Sequence, residues 1–189
     1  MKYVKRASLI LLIMTVITGI IYPLTITAFA QIFVPNKANG SIIEENDKKI
    51  GSKLMGQNFT DPKYFWSRPS ETQDYPYNPL GSSGSNMSPT GEAFDKVLNE
   101  RIKMYKKYDE KNTEKIPVDL VTASASGLDP DISVRGAKYQ VDRVSKYSKI
   151  SKEKLLELID KNTNSKLIGM FGEPTVNVLQ LNLDLEKIK

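Results

Sequence analysis

Between Arg6 and Lys37 the chain carries no charged side chain, and Ala7–Val34 is a 28-residue run made mostly of Leu, Ile, Val, Ala and Phe. A hydrocarbon core about 30 Å thick is crossed by about 20 helical residues, so the run is long enough to span a bilayer with tilt. Leu9, Ile13, Ile17, Ile20 and Phe33 mark its apolar length, and Pro23 predicts a kink. Lys2, Lys5 and Arg6 precede it, and such clusters stay on the cytoplasmic side. A cleaved signal peptide is the alternative, because Ala28-Phe29-Ala30 has the small-x-small grammar of a cleavage site and would leave Gln31 first. The anchor is preferred, since signal-peptide apolar cores run about 7–15 residues. Both readings place the rest of the chain outside the cytoplasm, on a single-pass cell-membrane protein if the helix is retained.

That boundary changes the meaning of the charge. The chain has 189 residues and a formal charge of +5, with a pI near 9.2, which by itself raises nucleic acid or an anionic membrane as a partner. Three of the positive charges belong to the N-terminal tail, and residues 35–189 hold 24 basic and 22 acidic groups. The densest basic stretch, Arg101–Lys115, also contains Asp109, Glu110 and Glu114 and reads as a solvated helix face. Nucleic acid is not an expected partner. The chain has no His and no Cys, which removes His–Cys zinc sites, thiol nucleophiles, disulfides and His-centred acid–base pairs.

The organisation that follows is a cytoplasmic tail at 1–6, a transmembrane helix at 7–34 and one extracytoplasmic α+β domain at 35–189. A polar connector at 35–50 leads into a short strand at Ser41–Ile43. Residues 51–89 hold Pro62, Pro69, Pro76, Pro79 and Pro89, too many for long helices, yet also Phe59, Tyr64, Phe65, Trp66, Tyr75 and Tyr77. An ordered, binding-competent loop region is expected there. Ser88 and Pro89 predict the start of a helix running to about Asp109, with Phe94, Val97, Leu98, Arg101, Ile102, Tyr105 and Tyr108 on its core face. A strand is predicted at Pro117–Thr122, then a Ser/Gly turn at Ser124–Pro130. Ser133 should cap a second helix carrying Ala137, Val141, Val144 and Tyr147. Ser151 should cap a third with Leu155, Leu156 and Ile159. A turn at Gly169–Pro174 leads to a predicted strand at Val176–Leu185, which alternates from Leu179 onward. This is a small sheet with about three helices.

The motifs for chemistry are thin. Ser151-Lys-Glu-Lys154 matches S-x-x-K, so an anchored Ser–Lys hydrolase using Ser151 and Lys154 is the enzymatic alternative, against a plain helix cap at Ser151. Asp129-Pro-Asp131 opens like a calcium loop but has Val134 where Gly is required and Gln140 where Glu is required, so no metal site is assigned. Ala123-Ser-Ala-Ser-Gly127 is not a nucleophile elbow. Gly81–Asn86 is a Gly/Ser loop ahead of a helix, without a nucleotide fingerprint. A ligand-binding role for the Tyr64–Tyr77 aromatics is a third reading.

Eight segments, in order over nearly the whole chain, carry a resemblance. They are Gly51-Ser-Lys-Leu-Met-Gly-Gln57; Tyr64-Phe65 with Arg68-Pro-Ser70; Tyr77-Asn-Pro79 with Gly84-Ser-Asn86 and Pro89-Thr90; and Pro117-x-Asp-Leu-Val-Thr-Ala-Ser124. Further on come Ser126-Gly-Leu-Asp-Pro130 with Ile132-Ser133; Gln140-Val-x-Arg143; Gly172-Glu-Pro-x-Val-Asn-Val-Leu179; and Leu181-Asn182. Together they resemble the C subunit of the potassium-transporting Kdp P-type ATPase. The resemblance implies an uncleaved anchor and a non-catalytic accessory subunit. Its partners would be a channel-like potassium-binding subunit and an ATP-hydrolysing P-type subunit, in contact with membrane lipid. It also implies a role in raising the pump's ATP affinity. ATP enters by resemblance only, and an outside domain would have to act on it through the membrane. The resemblance singles out Gln57, Arg68, Asn78, Ser85, Asn86, Ser126, Asp129, Glu173 and Asn177 as holders of turns or partner contacts. Asp131 stands where that family usually has His.

Overall fold

The computed structural model describes residues 1–45, 47–166 and 169–188. The chain divides into two units, Met1–Ile50 and Gly51–Lys189. In the first, the uncharged run is helical as far as Phe33, as α1 (Lys2–Val16), a π-helical turn (Ile17–Ile21) and α2 (Tyr22–Phe33). The continuous helix Lys2–Phe33 is 32 residues long, its most apolar 18-residue stretch has a mean hydropathy of 2.4, and it starts five residues before the predicted Ala7.

The expected kink at Pro23 takes the form of the π turn. Proline has no N–H to donate, and its ring crowds the carbonyl four residues back. The backbone widens just ahead of it, and the Tyr22 amide donates to the Ile17 carbonyl five residues away. Thr18 and Thr25 donate their hydroxyls to the Met14 and Ile21 carbonyls at 2.7 and 2.8 Å, so their polar groups are satisfied within the helix. A short helix α3 (Pro35–Ala38) follows, and β1 (Ile42–Glu45) pairs with β2 (Lys48–Ser52). The strand predicted at Ser41–Ile43 therefore starts one residue later, ends two later and belongs to a pair.

In the second unit, residues 53–91 contain neither helix nor strand, as the proline spacing requires. The region is nonetheless packed: Phe65, Trp66 and Tyr77 are buried. Helix α4 (Glu92–Tyr108) starts after Gly91 instead of at Pro89. Ser88–Gly91 forms a separate turn closed by the Gly91 amide on the Ser88 carbonyl. The predicted stripe on α4 faces inward, but only Tyr105 on it is fully buried.

The strand predicted at Pro117–Thr122 is a 3-10 turn (Val118–Leu120). The Leu120 and Thr122 amides bond back to Pro117 and Val118, and consecutive Leu120 and Val121 are both buried, which a half-buried strand does not allow. The second helix is two, α5 (Val134–Tyr139), capped by Ser133, and α6 (Val141–Ser148), broken at Gln140. Helix α7 (Lys152–Lys161) is capped by Ser151 as predicted. It buries Leu155, Leu158 and Ile159, while Leu156 points outward.

The largest correction is at the C-terminus. Only Thr175–Asn177 is strand, and Val178–Lys187 is a helix, α8. The alternating leucines misled because both faces of this helix are covered: Val178, Leu179, Leu181, Asn182, Asp184 and Leu185 are all buried. Leu also favours helix over strand, and no β-branched residue follows Val178 in this element. Among the described residues this unit thus has five helices, not about three, and remains α+β. Its antiparallel sheet has the order β3 (Asp131–Ser133), β5 (Thr175–Asn177), β4 (Thr163–Asn164), with Ile132 and Thr163 both opposite Val176. Ile132 and Val176 join Val144, Leu155, Ile159, Val178, Leu181 and Leu185 in one core under the irregular region.

Candidate functional site

An irregular segment can be buried only if its peptide groups find partners. Two side-chain carboxamides supply them. Phe65 donates its N–H to Asn182 Oδ1 and accepts from Asn182 Nδ2, both at 2.9 Å. Trp66 donates its N–H to Gln140 Oε1 at 2.7 Å and accepts from Gln140 Nε2 at 3.1 Å. The amides of α8 and of the α5–α6 break thus act as two rungs of a strand ladder. Arg143, 1% exposed, completes the arrangement. Its Nη1 donates to the Pro62 and Tyr64 carbonyls at 2.6 and 2.9 Å, its Nη2 to Gln140 Oε1 at 2.5 Å, and its guanidinium lies 3.7 Å from the Trp66 ring centre. Burial pulls the guanidinium down to about 10, so it stays protonated at neutral pH. Trp66 also meets Tyr105 and Tyr108 edge-on, so the aromatic cluster is continued by α4.

The nine residues singled out from the sequence fall mostly on the turns around this clamp. Arg68 Nη1 donates to Asp129 Oδ2 at 2.8 Å and Nη2 to the Ala123 carbonyl at 3.4 Å. Asp129 Oδ1 accepts the Asp131 amide at 3.1 Å, so this pair ties the proline-rich segment to the turn before β3. Asn78 is buried and self-contained: Nδ2 donates to the Gln73 carbonyl and Oδ1 accepts the Leu80 amide. The Gln57 carbonyl accepts the Ser67 hydroxyl at 2.9 Å. Ser126 Oγ accepts the Leu128 amide, and its carbonyl accepts the Ser82 hydroxyl at 3.0 Å. Ser85 Oγ lies 3.5 Å from the Met87 amide, and exposed Asn86 adopts φ +51°. Asn177 caps α8 by accepting the Gln180 amide and donates to the Lys53 carbonyl at 2.9 Å. Glu173 stands apart, exposed and paired with Lys166 at 3.3 Å. Arg68 and Asp129 are brought together; the nine do not converge on one pocket.

Gly127 shows how tight these turns are. It has φ +68°, and a Cβ there would lie 2.6 Å from both the Ser83 carbonyl and the Thr72 methyl.

The Tyr64–Tyr77 aromatics divide instead of forming one ligand face. Phe65, Trp66 and Tyr77 are core, Tyr75 is exposed, and Tyr64 donates its hydroxyl to Glu186, which raises that phenol to about 12. Burial does the same for Tyr77, whose hydroxyl donates to the Arg68 carbonyl. Two open clefts flank α4. One, of about 620 Å³, has walls from Phe59, Trp66, Arg68, Met104, Tyr105 and Tyr108; the other, of about 910 Å³, from Phe94, Leu98, Ile102, Ile116, Val118 and Val121.

At the candidate hydrolase pair, Ser151 Oγ accepts the Lys154 amide at 3.4 Å, and Lys154 is exposed. The hydroxyl is engaged by the backbone amide of Lys154 and not by its side chain, so the geometry there is that of a cap. No group of three or more His, Cys, Asp or Glu is placed to hold a metal ion among the described residues.

The clamp residues Gln140, Arg143 and Asn182 lie in segments that carry the resemblance but are not among the nine candidates, and the pair of Arg101 with Glu71 has no counterpart in the sequence expectations. Polar residues on the core side of apolar helix patterns were the available signal.

Comparison with known proteins covers almost the whole chain. The family model described as "KdpC: K+-transporting ATPase, c chain" matches residues 4–187. The KdpC subunit of the potassium-transporting ATPase of Polynucleobacter asymbioticus is 50% identical over 187 residues, covering 98% of this chain and 99% of that protein. The subunit of the same name from Clostridium perfringens is 48% identical, covering 100% and 98%. That from Serratia proteamaculans is 44% identical over the full length of both.

Proposed function

This chain belongs to the KdpC family of K+-transporting ATPase c chains, and on that premise we propose that it serves as the accessory, non-catalytic subunit of an ATP-driven potassium uptake pump. The observation that carries the reading is the extent of the match: residues 4–187 take in the apolar helix and every segment of the clamp. A fragment sharing only a fold would not preserve both. The N-terminal helix anchors the chain in the cell membrane, and Lys2, Lys5 and Arg6 hold its start in the cytoplasm, which puts the second unit outside. There it stabilises the complex against a channel-like potassium-binding subunit and an ATP-hydrolysing P-type subunit.

The role in raising ATP affinity belongs to the same reading. A domain on the far side of the membrane does not touch cytoplasmic nucleotide, so it acts by favouring one conformation of the pump. The support for a non-catalytic role is the use of the polar side chains. Asn182, Gln140, Arg143, Asn78 and Ser151 spend their hydrogen bonds on the fold itself.

Affinity purification of the tagged chain from membranes of potassium-starved cells tests the proposal. Co-purification of the ATP-hydrolysing subunit is the expected result. A chain recovered from membranes without any P-type ATPase subunit overturns it.

A further inference from the structure

We propose that the tip of the β4–β5 connection, Gly169–Gly172, is a membrane-contact element that seats Met170 and Phe171 in a lipid surface. The proposal rests on the reading that the N-terminal helix anchors this chain in a bilayer. Met170 is 75% and Phe171 63% exposed, two large apolar side chains in sequence. Gly169 and Gly172 flank them at φ +72° and +83°, and at both a Cβ would meet nothing within 4 Å. Among the described residues, therefore, both side chains are left largely uncovered.

The foot of the same connection is lined with cations. Lys166 lies at the start of the tip, and Lys53 and Lys161 share a recess with exposed Leu54 and with Asn164 of β4. Carboxylates lie among them, Glu157 beside Lys161 included. Asp184 is shared between Lys161 and Lys187 with its side chain only 11% exposed, Asp131 is half-buried, and Glu173 pairs with Lys166. The Lys161 and Lys187 ammonium groups remain largely in solvent while Asp184 does not, whereas Glu173, 82% exposed against 38% for Lys166, is the more exposed member of its pair. An apolar tip preceded by Lys166, on a connection that leaves β4 beside the recess of Lys53 and Lys161, matches acyl chains beneath anionic headgroups.

Lipid fits this tip better than a protein socket does. Protein anchors are preorganised and enter shaped pockets. Met170 and Phe171 instead sit between two conformationally permissive glycines, and methionine adapts to any apolar surroundings. A fluid surface requires no shape match, and an anchored chain is always beside one.

The test uses the full chain reconstituted into vesicles of phosphatidylcholine and phosphatidylglycerol, with plain or brominated acyl chains. Trp66 is the single tryptophan and is 4% exposed in the core, so the unaltered chain supplies an unquenched baseline. Phe171→Trp is expected to add a blue-shifted emission that is lost in brominated vesicles. Val118→Trp, at a position 71% exposed on the 3-10 turn, is expected to add emission that bromine leaves unchanged.

Added Phe171→Trp emission that is red-shifted, quenched by aqueous acrylamide and indifferent to bromine overturns the proposal. So does equal quenching at both positions, which means adsorption of the whole surface. Emission from Phe171→Trp that bromine spares but that becomes shielded from acrylamide on adding the other pump subunits makes the tip a protein contact and also overturns it. Alkaline carbonate separates the premise from the inference. A chain stripped from the vesicles overturns both, whereas a retained chain with unquenched emission overturns the tip alone.

Discussion

Asn182 and Phe65 lie 117 residues apart in sequence, and a single carboxamide closes both hydrogen bonds of the Phe65 backbone, each at 2.9 Å. Through this contact the C-terminal helix takes hold of a segment with no regular structure of its own. Both groups are buried, so removing the amide strands a donor and an acceptor together. Asn182→Leu is therefore expected to cost roughly 3–4 kcal/mol in denaturant unfolding, more than the about 1 kcal/mol net of one ordinary hydrogen bond. Asn182→Asp is expected to lose nearly as much, since it removes the donor to Phe65 and buries a charge. A change under 1 kcal/mol for both would show that water replaces the clamp.

Arg143→Lys tests whether that position needs a planar fork. The guanidinium serves three acceptors and covers Trp66, and an ammonium cannot do both. A loss of about 2–3 kcal/mol is expected, with a red shift of Trp66 fluorescence as water reaches the ring. Unchanged emission would mean that the ring's surroundings do not depend on the fork.

The Arg68–Asp129 pair is a smaller contributor because both side chains are part-exposed, at 25% and 31%. A double-mutant cycle of Arg68→Ala and Asp129→Ala is expected to give a coupling of about 1 kcal/mol after allowing for solvent screening. A coupling near zero would assign Asp129 to its turn alone, through the Asp131 amide.

Ser151→Ala distinguishes cap from nucleophile. Loss of the cap is expected to lower stability by about 1 kcal/mol, and Ser151→Asp, which can accept the same amide, should restore it. Pump activity in membranes should be unaffected by the aspartate. Activity abolished by both changes would point to hydroxyl chemistry.

Two carboxylates predict opposite pH responses. For Asp184, burial pushes the pKa up, but hydrogen bonds from Lys187, Lys161 and Asn162 outweigh it, and the group ends below its ordinary 3.8. Its stabilisation is present above that value and lost as pH falls through the lower folded one. For Asp131, burial dominates over the Thr175 and Asn177 hydrogen bonds and raises the pKa, and among the described residues its Oδ1 is buried without a hydrogen-bond partner. Its penalty is present at neutral pH and relieved as pH falls through the raised folded value toward 3.8. Asp131→Asn should thus raise the melting midpoint at pH 7 by about 1–2 °C, with the gain shrinking toward about pH 4. Asp184→Asn should lower the midpoint at pH 7, with the deficit shrinking only below about pH 4. Thermal melts of both variants across pH 3–8 check the two signs.

Much of the local structure follows from neighbours in the chain. The apolar run sets its own helix, because hydropathy and length are properties of a single segment. Ser133 and Ser151 cap the helices that begin after them, and the prolines between 51 and 89 exclude regular structure. What the chain's own pattern does not contain is which face is covered. Val178–Leu185 reads as an alternating strand until the core, Asn182 and Asp184 are seen to bury several sides of one helix. Pro117–Thr122 has strand-like residues, yet its amides bond back along the segment as a 3-10 turn, and β3 meets it through the Ser133 amide on the Asp119 carboxylate. The clamp is the clearest case. Gln140, Arg143 and Asn182 sit in helical stretches where a polar residue reads as surface, and their purpose is set by peptide groups some 75 to 117 residues away. Helix propensity and hydropathy act over a few residues and are legible in the sequence. Satisfaction of buried peptide groups is a requirement of the packed state, and only the tertiary structure decides which side chains meet it.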